Sequence, residues 1–447
     1  MVLKKLLKGV CAAGVAVTAV QAEKVIELDD GMKLTLGGDV RMYLTHFDRN
    51  VLFPDSSSLP EEGPAIEYAR FRERFRAELA VNESIRLNTR FTHRWQKFSS
   101  NIGNPNDRGP ATWQFEDELV VDTLNVQVDH VGGSPWCLTL GRQDVMFGNG
   151  MVFLEGTPYD QGRTIYFDGV HAMMKGEKDT ISLFAFYNNY RDRYLAIGDE
   201  DRRLRRGDVF TTGLYWTRSW SPVINTDLYT IYADFDDQYP ESAEGVEYNH
   251  PLDENARICT SGIRLFGELH PQVSYSAEFA GQYGHVEDSR DAAGSMADLR
   301  LMLKADEDTP LRPELNFKVT YLSGDDRSTD KYEGWHPMFS EYPIWREELL
   351  AIMTNAHWTN FTQYRSELVV NLNDQWRLTG NYSYLQAVEN NGTGDGDEIG
   401  HLISGFVDYR MSDQWSFSME AAGFFPGDYF ADGESSEWVR FMTMYTF

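Results

Sequence analysis

Nowhere do 18 apolar residues follow one another, so no segment of this chain can cross a bilayer as a helix. Cysteine is scarce, with three among 447 residues. Cys11 lies in an N-terminal apolar run. Cys137 and Cys259 are far apart and lack His or Cys at metal-ligand spacing, so no metal site is expected, and their pairing in an oxidising compartment stays open. Positive charge is in deficit: 41 Lys and Arg stand against 69 Asp and Glu, a formal net charge of -28, which argues against a nucleic-acid partner. Neither G-x-S-x-G nor H-E-x-x-H occurs, and histidines such as His46, His93, His171 and His336 sit singly. No enzyme and no cofactor is expected. A repeat of 20–50 residues and an internal domain boundary are also missing.

What is present begins with a targeting segment. Lys4, Lys5 and Lys8 precede the apolar run Gly9 to Val20, and Val20-Gln21-Ala22 suits cleavage. The expected division is a signal peptide over 1–22 and one domain over 23–447. Mean hydropathy is only -0.46, yet aromatic residues make up 13% of the chain. A β-barrel reconciles the two, since only alternate residues of its strands face lipid and aromatic girdles mark both interfaces.

Period-2 alternation bounded by turn residues runs from Met32 to Phe447. It predicts 18 strands, near 32–47, 66–81, 85–98, 118–129, 136–144, 164–175, 180–190, 208–218, 225–236, 257–268, 272–284, 296–305, 312–323, 359–371, 375–387, 400–411, 414–424 and 437–447. The connections alternate long and short. Asn82–Ser84, Leu269–Pro271 and Leu372–Asp374 are short; Asp48–Ala65, Val145–Arg163 and Gly324–Trp358 are long. Short periplasmic turns and long extracellular loops give this asymmetry. The fold class expected is therefore all-β: a transmembrane antiparallel β-barrel in a Gram-negative outer membrane, in contact with its lipid and lipopolysaccharide. In the last strand Val439, Phe441, Tyr445 and Phe447 share one face, and a terminal aromatic of this kind resembles the signal that such barrels present to their assembly machinery.

Alternation also assigns the lumen. Phe71, Phe75, Ala77 and Leu79 name the lipid face of the second strand, which turns Arg70, Arg72, Arg74 and Arg76 inward. Ile85, Leu87, Phe91 and Trp95 do the same for Arg86, Arg90 and Arg94 in the third. A three-residue turn places Arg76 opposite Arg90 and Arg72 opposite Arg94. Arginine at the lipid midplane costs about 2–4 kcal/mol, so the lumen is where these side chains belong. Arg41, Arg264, Arg300, Lys304, Lys318, Arg365, Arg377, Arg410 and Arg440 follow them inward. Fewer acids do: Asp39, Glu78, Glu278, Asp298, Glu367, Asp408 and Glu420. Two readings arise. Rings of Arg select anions and bind carboxylates through paired N–H donors; alternatively, wall arginines pair with neighbouring acids and stiffen the lumen. Elsewhere, Asp395, Asp397 and Glu398 within Asn390 to Glu398 offer hard oxygen ligands, but the glycine-rich composition favours a solvated loop tip over a cation site.

Several short motifs resemble the alginate export family. They are Leu140-Gly141-Arg142-Gln143, then Arg163-Thr164 with Phe167-Asp168-Gly169-Val170, then Tyr275-Ser276-Ala277-Glu278-Phe279-Ala280-Gly281-Gln282, Ser323-Gly324-Asp325 and Phe424-Phe425-Pro426-Gly427-Asp428. Their order and spacing carry the likeness across most of the chain. The loop after Arg142 departs from it, reading Thr157-Pro158-Tyr159-Asp160, and strict alternation puts Arg142 itself on the lipid face. The resemblance implies an 18-stranded monomer with an electropositive pore for an anionic polysaccharide. The expected function is passive conduction of an anionic saccharide past Arg41, the arginines of the second and third strands, Arg264, Arg300, Lys304, Lys318, Arg365, Arg377 and Glu278. An uptake porin for small organic anions is the nearest rival; an adhesion or scaffold barrel leaves the inward arginines without a purpose.

Overall fold

The computed structural model describes residues 23–28, 31–47, 66–98, 113–114, 118–154, 166–189, 195–197, 208–236, 255–286, 290–340, 358–431 and 434–447. The leader 1–22 and the Thr157–Asp160 departure lie outside these residues.

Eighteen strands form the wall: β1 (Lys33–Phe47), β2 (Ile66–Ala80), β3 (Ile85–Phe98), β4 (Leu119–Val128), β5 (Trp136–Gln143), β6 (Phe167–Lys175), β7 (Asp179–Asn188), β8 (Val209–Ser219), β9 (Asn225–Phe235), β10 (Ala256–His270), β11 (Val273–Val286), β12 (Ser295–Lys304), β13 (Glu314–Leu322), β14 (Phe361–Asn371), β15 (Trp376–Ala387), β16 (Glu398–Arg410), β17 (Trp415–Pro426) and β18 (Ser436–Thr446). Each pairs antiparallel with the next, and β18 returns to β1 with Asp39 opposite Thr446 and Phe47 opposite Trp438. Closure leaves the ring without an edge, which a lipid-embedded sheet requires because no water is there to satisfy free N–H and C=O groups. Short strands decorate the wall: Lys24–Glu27 pairs antiparallel with the start of β1, from Lys33 to Leu36, and Leu195–Ile197 pairs with the top of β4.

The turn residues explain the short connections. Asn82 accepts from the N–H groups of Ser84 and Ile85 at 2.8 and 2.9 Å, and Asn373 accepts from Gln375 and Trp376 at 2.9 and 3.0 Å, so each asparagine substitutes for a backbone turn. Where the expected boundaries shift, backbone geometry is the reason. β13 starts at Glu314 rather than near 312 because Leu311 and Arg312 adopt φ of +65° and +38°. β16 begins earlier, at Glu398, across an irregularity between Leu385 and Gln386 on β15.

The outer face is apolar in the alternating positions. Phe75, Leu87, Leu140, Leu183, Leu228, Ile263, Phe279, Phe317, Leu368, Ile403 and Phe441 all stand exposed. These side chains face the acyl chains. Cys137 and Cys259 are both free: Cys137 donates to Asp129 at 2.7 Å, whereas Cys259 lies beside Thr230 at 3.6 Å.

The seam is tight. Gly38 and Phe447 exchange backbone hydrogen bonds of 2.7 and 2.9 Å, and a Cβ on Gly38 would come within 2.2 Å of the Arg74 carbonyl oxygen and 2.8 Å of the Phe447 ring. Gly38→Val is therefore expected to lower the folded fraction, measured as the heat-modifiable band in semi-native electrophoresis; an unchanged fraction would show that the seam tolerates a side chain.

The upper lumen departs from a simple polar conduit. Two of the long connections fold inward over their described lengths. They are the segment after β5, through Leu154, and the segment after β13, residues 323–340. Between them and the wall lies an apolar cluster containing Phe153, Phe167, Phe184, Phe186, Tyr215, Tyr229, Phe339 and Trp335. Burying such rings against one another supplies the contact area that holds the loops inside.

Candidate functional site

The arginine ladder is built by register. β1 and β2 set Asp39 opposite Arg74 and Arg41 opposite Arg72; β2 and β3 set Arg72 opposite Arg94 and Arg76 opposite Arg90, as the short turn requires. Like charges directly opposite repel, so carboxylates interleave. Arg72 donates to Asp39 at 2.7 Å, and Arg76 to Glu23 at 2.7 Å. Arg90 reaches Asp122 at 2.7 Å and Asp144 at 2.6 Å, with Arg74 3.8 Å from Asp122. Arg86 meets Asp129 at 2.5 Å, and the Cys137 thiol donating to Asp129 holds that carboxyl below the usual range. Arg70 and Arg94 both donate to Gln96, at 3.3 and 2.6 Å, and the Arg41 guanidinium sits 4.5 Å over the Tyr43 ring. The eight arginines of β1–β3 thus interleave with Glu23, Asp39, Asp122, Asp129 and Asp144; Glu78 stands opposite Thr35 and Asn88 in the strand register, and Glu118, 7% exposed, lies buried just before β4.

A second charged group occupies β9 to β14. Asp227, fully buried, accepts from Arg264 at 2.7 Å and from the Tyr215 hydroxyl at 2.6 Å. Glu278, only 3% exposed, accepts from Tyr229 at 2.9 Å, opposite Arg264 on the ladder of backbone pairs. Asp298 takes Arg300 at 2.8 Å and stands 4.0 Å from Lys318; Glu367 takes Arg365 at 2.7 Å. At the periplasmic mouth Lys304 stands opposite Glu314, and Arg377 opposite Asp408, in the strand register. Here bases and acids are nearly matched. Glu278 and Arg264 sit beneath the inner loop rather than on an open surface.

The inner segment after β5 joins the two groups. Asp144, where the chain leaves the wall, is tied to Arg90 on β3. Asn149, at the tip, donates to Ser276 at 3.0 Å and accepts from Arg264 at 3.1 Å. Gly148 and Gly150 flank it at φ of +57° and +77°, a turn that side chains resist. Phe147 stacks on Tyr215 with 4.6 Å between centroids. The second inner segment clasps the first: the Phe339 N–H donates to Val152 at 3.1 Å and the Ser340 hydroxyl to the Gly150 carbonyl at 2.6 Å. Gln282 of β11 fastens it through both the N–H and the carbonyl of His336, each at 2.8 Å.

Alternation did not find Asp122, Asp144, Asp227 or Asn149. Asp122 falls at a register shift opposite Arg90, and Asp227 begins an inward set, Tyr229, Ile231 and Ala233, as apolar as the outward one because the loop covers it. Arg142 is neither open to lipid nor a lumen charge. It is 6% exposed, donates twice to Asp168 at 2.9 Å, and lies 3.6 Å over the Tyr166 ring. No cluster of three or more His, Cys, Asp or Glu that could hold a metal occurs among the described residues, the Asn390–Glu398 loop included.

Comparisons with known proteins agree with this architecture. A comparison with curated protein sequences gives no match. Among solved structures, Acinetobacter baumannii OccAB2 superposes with a TM-score of 0.59 at 11% identity, covering 92% of this chain and 98% of its own. Pseudomonas aeruginosa OpdK, solved with vanillate, gives 0.57 at 11% identity over 92% and 98%, and OprD of the same organism 0.56 at 10% identity over 96% of each chain. These likenesses concern the fold. The family model described as alginate export matches residues 33–442, nearly the whole wall from β1 to β18. The chain therefore belongs to the alginate export family and forms a channel-type barrel of the Gram-negative outer membrane.

Proposed function

We propose that this barrel passively conducts an anionic saccharide, brought to the membrane by the leader over 1–22, and that the arginine ladder of β1–β3 is its electropositive wall. The observation that carries the reading is the imbalance on that side of the lumen. Eight inward arginines stand on three adjacent strands whose own inward acids are Asp39 and Glu78, with Glu23, Asp122, Asp129 and Asp144 as further partners and Glu118 buried beside them, while β9–β14 are close to neutral. An anion passing through meets the surplus guanidinium charge of the ladder, and carboxylates match its paired donors. Pairing with acids stiffens the arginines without cancelling them, so the structural and functional roles coexist.

Uptake of small organic anions is the second reading; one fold neighbour was solved with vanillate, a small carboxylate. The expected result in a planar bilayer is a reversal potential across a KCl gradient that reports anion preference, with uronate oligomers blocking the current more strongly than benzoate-sized acids. Stronger block by the small acids would favour uptake, and cation preference would defeat both. The same reading places the protein as a monomer among lipopolysaccharide and gives Phe447 to the assembly machinery.

A further inference from the structure

The inner segment that crosses the lumen has two unlike faces. Val145 is 5% exposed and Phe147 stacks on Tyr215, so both belong to the cluster against the wall. Asp144 and Met146 alternate with them and point the other way. Asp144 turns to Arg90, and Met146 is 45% exposed. A large apolar side chain left open inside a charged lumen gains nothing from its surroundings. The segment is also held at both ends: at Asp144 by Arg90 on β3, and at Asn149 by Arg264 on β10. Those strands lie seven places apart around the ring, close to opposite one another. The crossing is thus a fixed bar whose free face looks away from the aromatic cluster, across the remaining opening.

We infer that Met146 is the non-polar jaw of the constriction, opposed to the arginine ladder. The opening is then a two-sided slot, with guanidinium charge on one side and a thioether on the other. Such a slot favours anions that also present a non-polar face, such as the C–H face of a uronate ring, over compact fully hydrated anions. Methionine suits the place because its unbranched, polarisable chain conforms to different surfaces. This inference rests on the channel reading above.

The test uses the full-length barrel with Cys137 and Cys259 replaced by serine, carrying Met146→Cys, and a sulfonate-bearing thiosulfonate reagent. Labelling is read by mass, so it does not depend on conduction, and Val145→Cys serves as the buried control. The expected result is complete labelling at 146, little at 145, and a fall in single-channel conductance of about twofold or more on labelling, since a constriction dominates the resistance of a pore. Met146→Ala should raise conductance and weaken the preference for uronate over chloride. An unlabelled cysteine at 146, or full labelling with unchanged current, overturns the jaw while leaving the channel intact. A parent barrel that does not conduct at all overturns the channel reading, and the jaw with it.

Discussion

Arg264→Leu should lower the temperature at which the folded band converts to the unfolded one, and the loss should be large. Arg264 is the charged partner of Asp227, which has no exposed surface. Removing one member of a buried pair strands the other, at a typical cost of about 3–5 kcal/mol. The hydroxyl of Tyr215 still donates to Asp227, but a neutral donor does not replace a cation. The same change releases the Asn149 carbonyl at the loop tip, so conductance should rise and flicker between levels. The double change Arg264→Leu with Asp227→Leu should recover much of the thermal loss, because no charge remains buried, yet keep the noisy current, because the tip is still untied. Thermal stability unchanged in the single variant would show that water reaches Asp227 and that the clamp is weak.

Arg76→Ala combined with Arg86→Ala should reduce anion preference with little effect on stability. These are the more open members of the ladder, with 49% and 34% of their side-chain surface exposed. Pairs of this exposure contribute little to folding. Their contribution to a passing ion is Coulombic: at about 5 Å in water one charge is worth about 0.8 kcal/mol, and screening in about 0.1 M salt trims it, so two together change the local anion population about fivefold, and the anion-to-cation ratio by more. Loss of the arginines also leaves Glu23 and Asp129 facing the lumen, which pushes the ratio the same way. Arg90→Ala should behave differently. It unties Asp144 and leaves buried Asp122 without its closest base, so its main signature is altered conductance and lower thermal stability. If the open pair leaves selectivity unmoved in a folded barrel, the ladder is a structural element and the field in the pore comes from elsewhere.

The family motifs acquire a common physical meaning in the structure. Each marks a joint where a wall strand meets a segment that turns inward or over the rim. Arg142 and Asp168 lock β5 to β6 where the chain departs for the lumen. Glu278 and Gln282 of β11 sit under one inner segment and fasten the other. Ser323 caps the start of the second segment, donating to the Glu333 carbonyl at 2.6 Å, and Asp325 takes Arg290 at 3.1 Å. Asp428 accepts from the Glu398 N–H at 3.0 Å across the last long connection. Short polar motifs of this kind are visible in a sequence because joints need particular donors, acceptors and glycines.

By itself the sequence determined the barrel, its 18 strands, the lipid face and the arginine register of β2 and β3. These follow from a period of 2 and the length of short turns, both local properties of the chain. The tertiary structure alone decided how those arginines are neutralised, that Glu278 and Arg264 lie covered, and that two long connections turn inward around an apolar cluster. Asp122 and Asp144 reach Arg90 only after β4 and β5 have closed beside it, and Asn149 meets Arg264 only across the lumen. A loop carries no periodicity to say which way it folds; its direction is set by the rings of Phe167, Phe184 and Tyr215, which come together as one surface only when the sheet has curved.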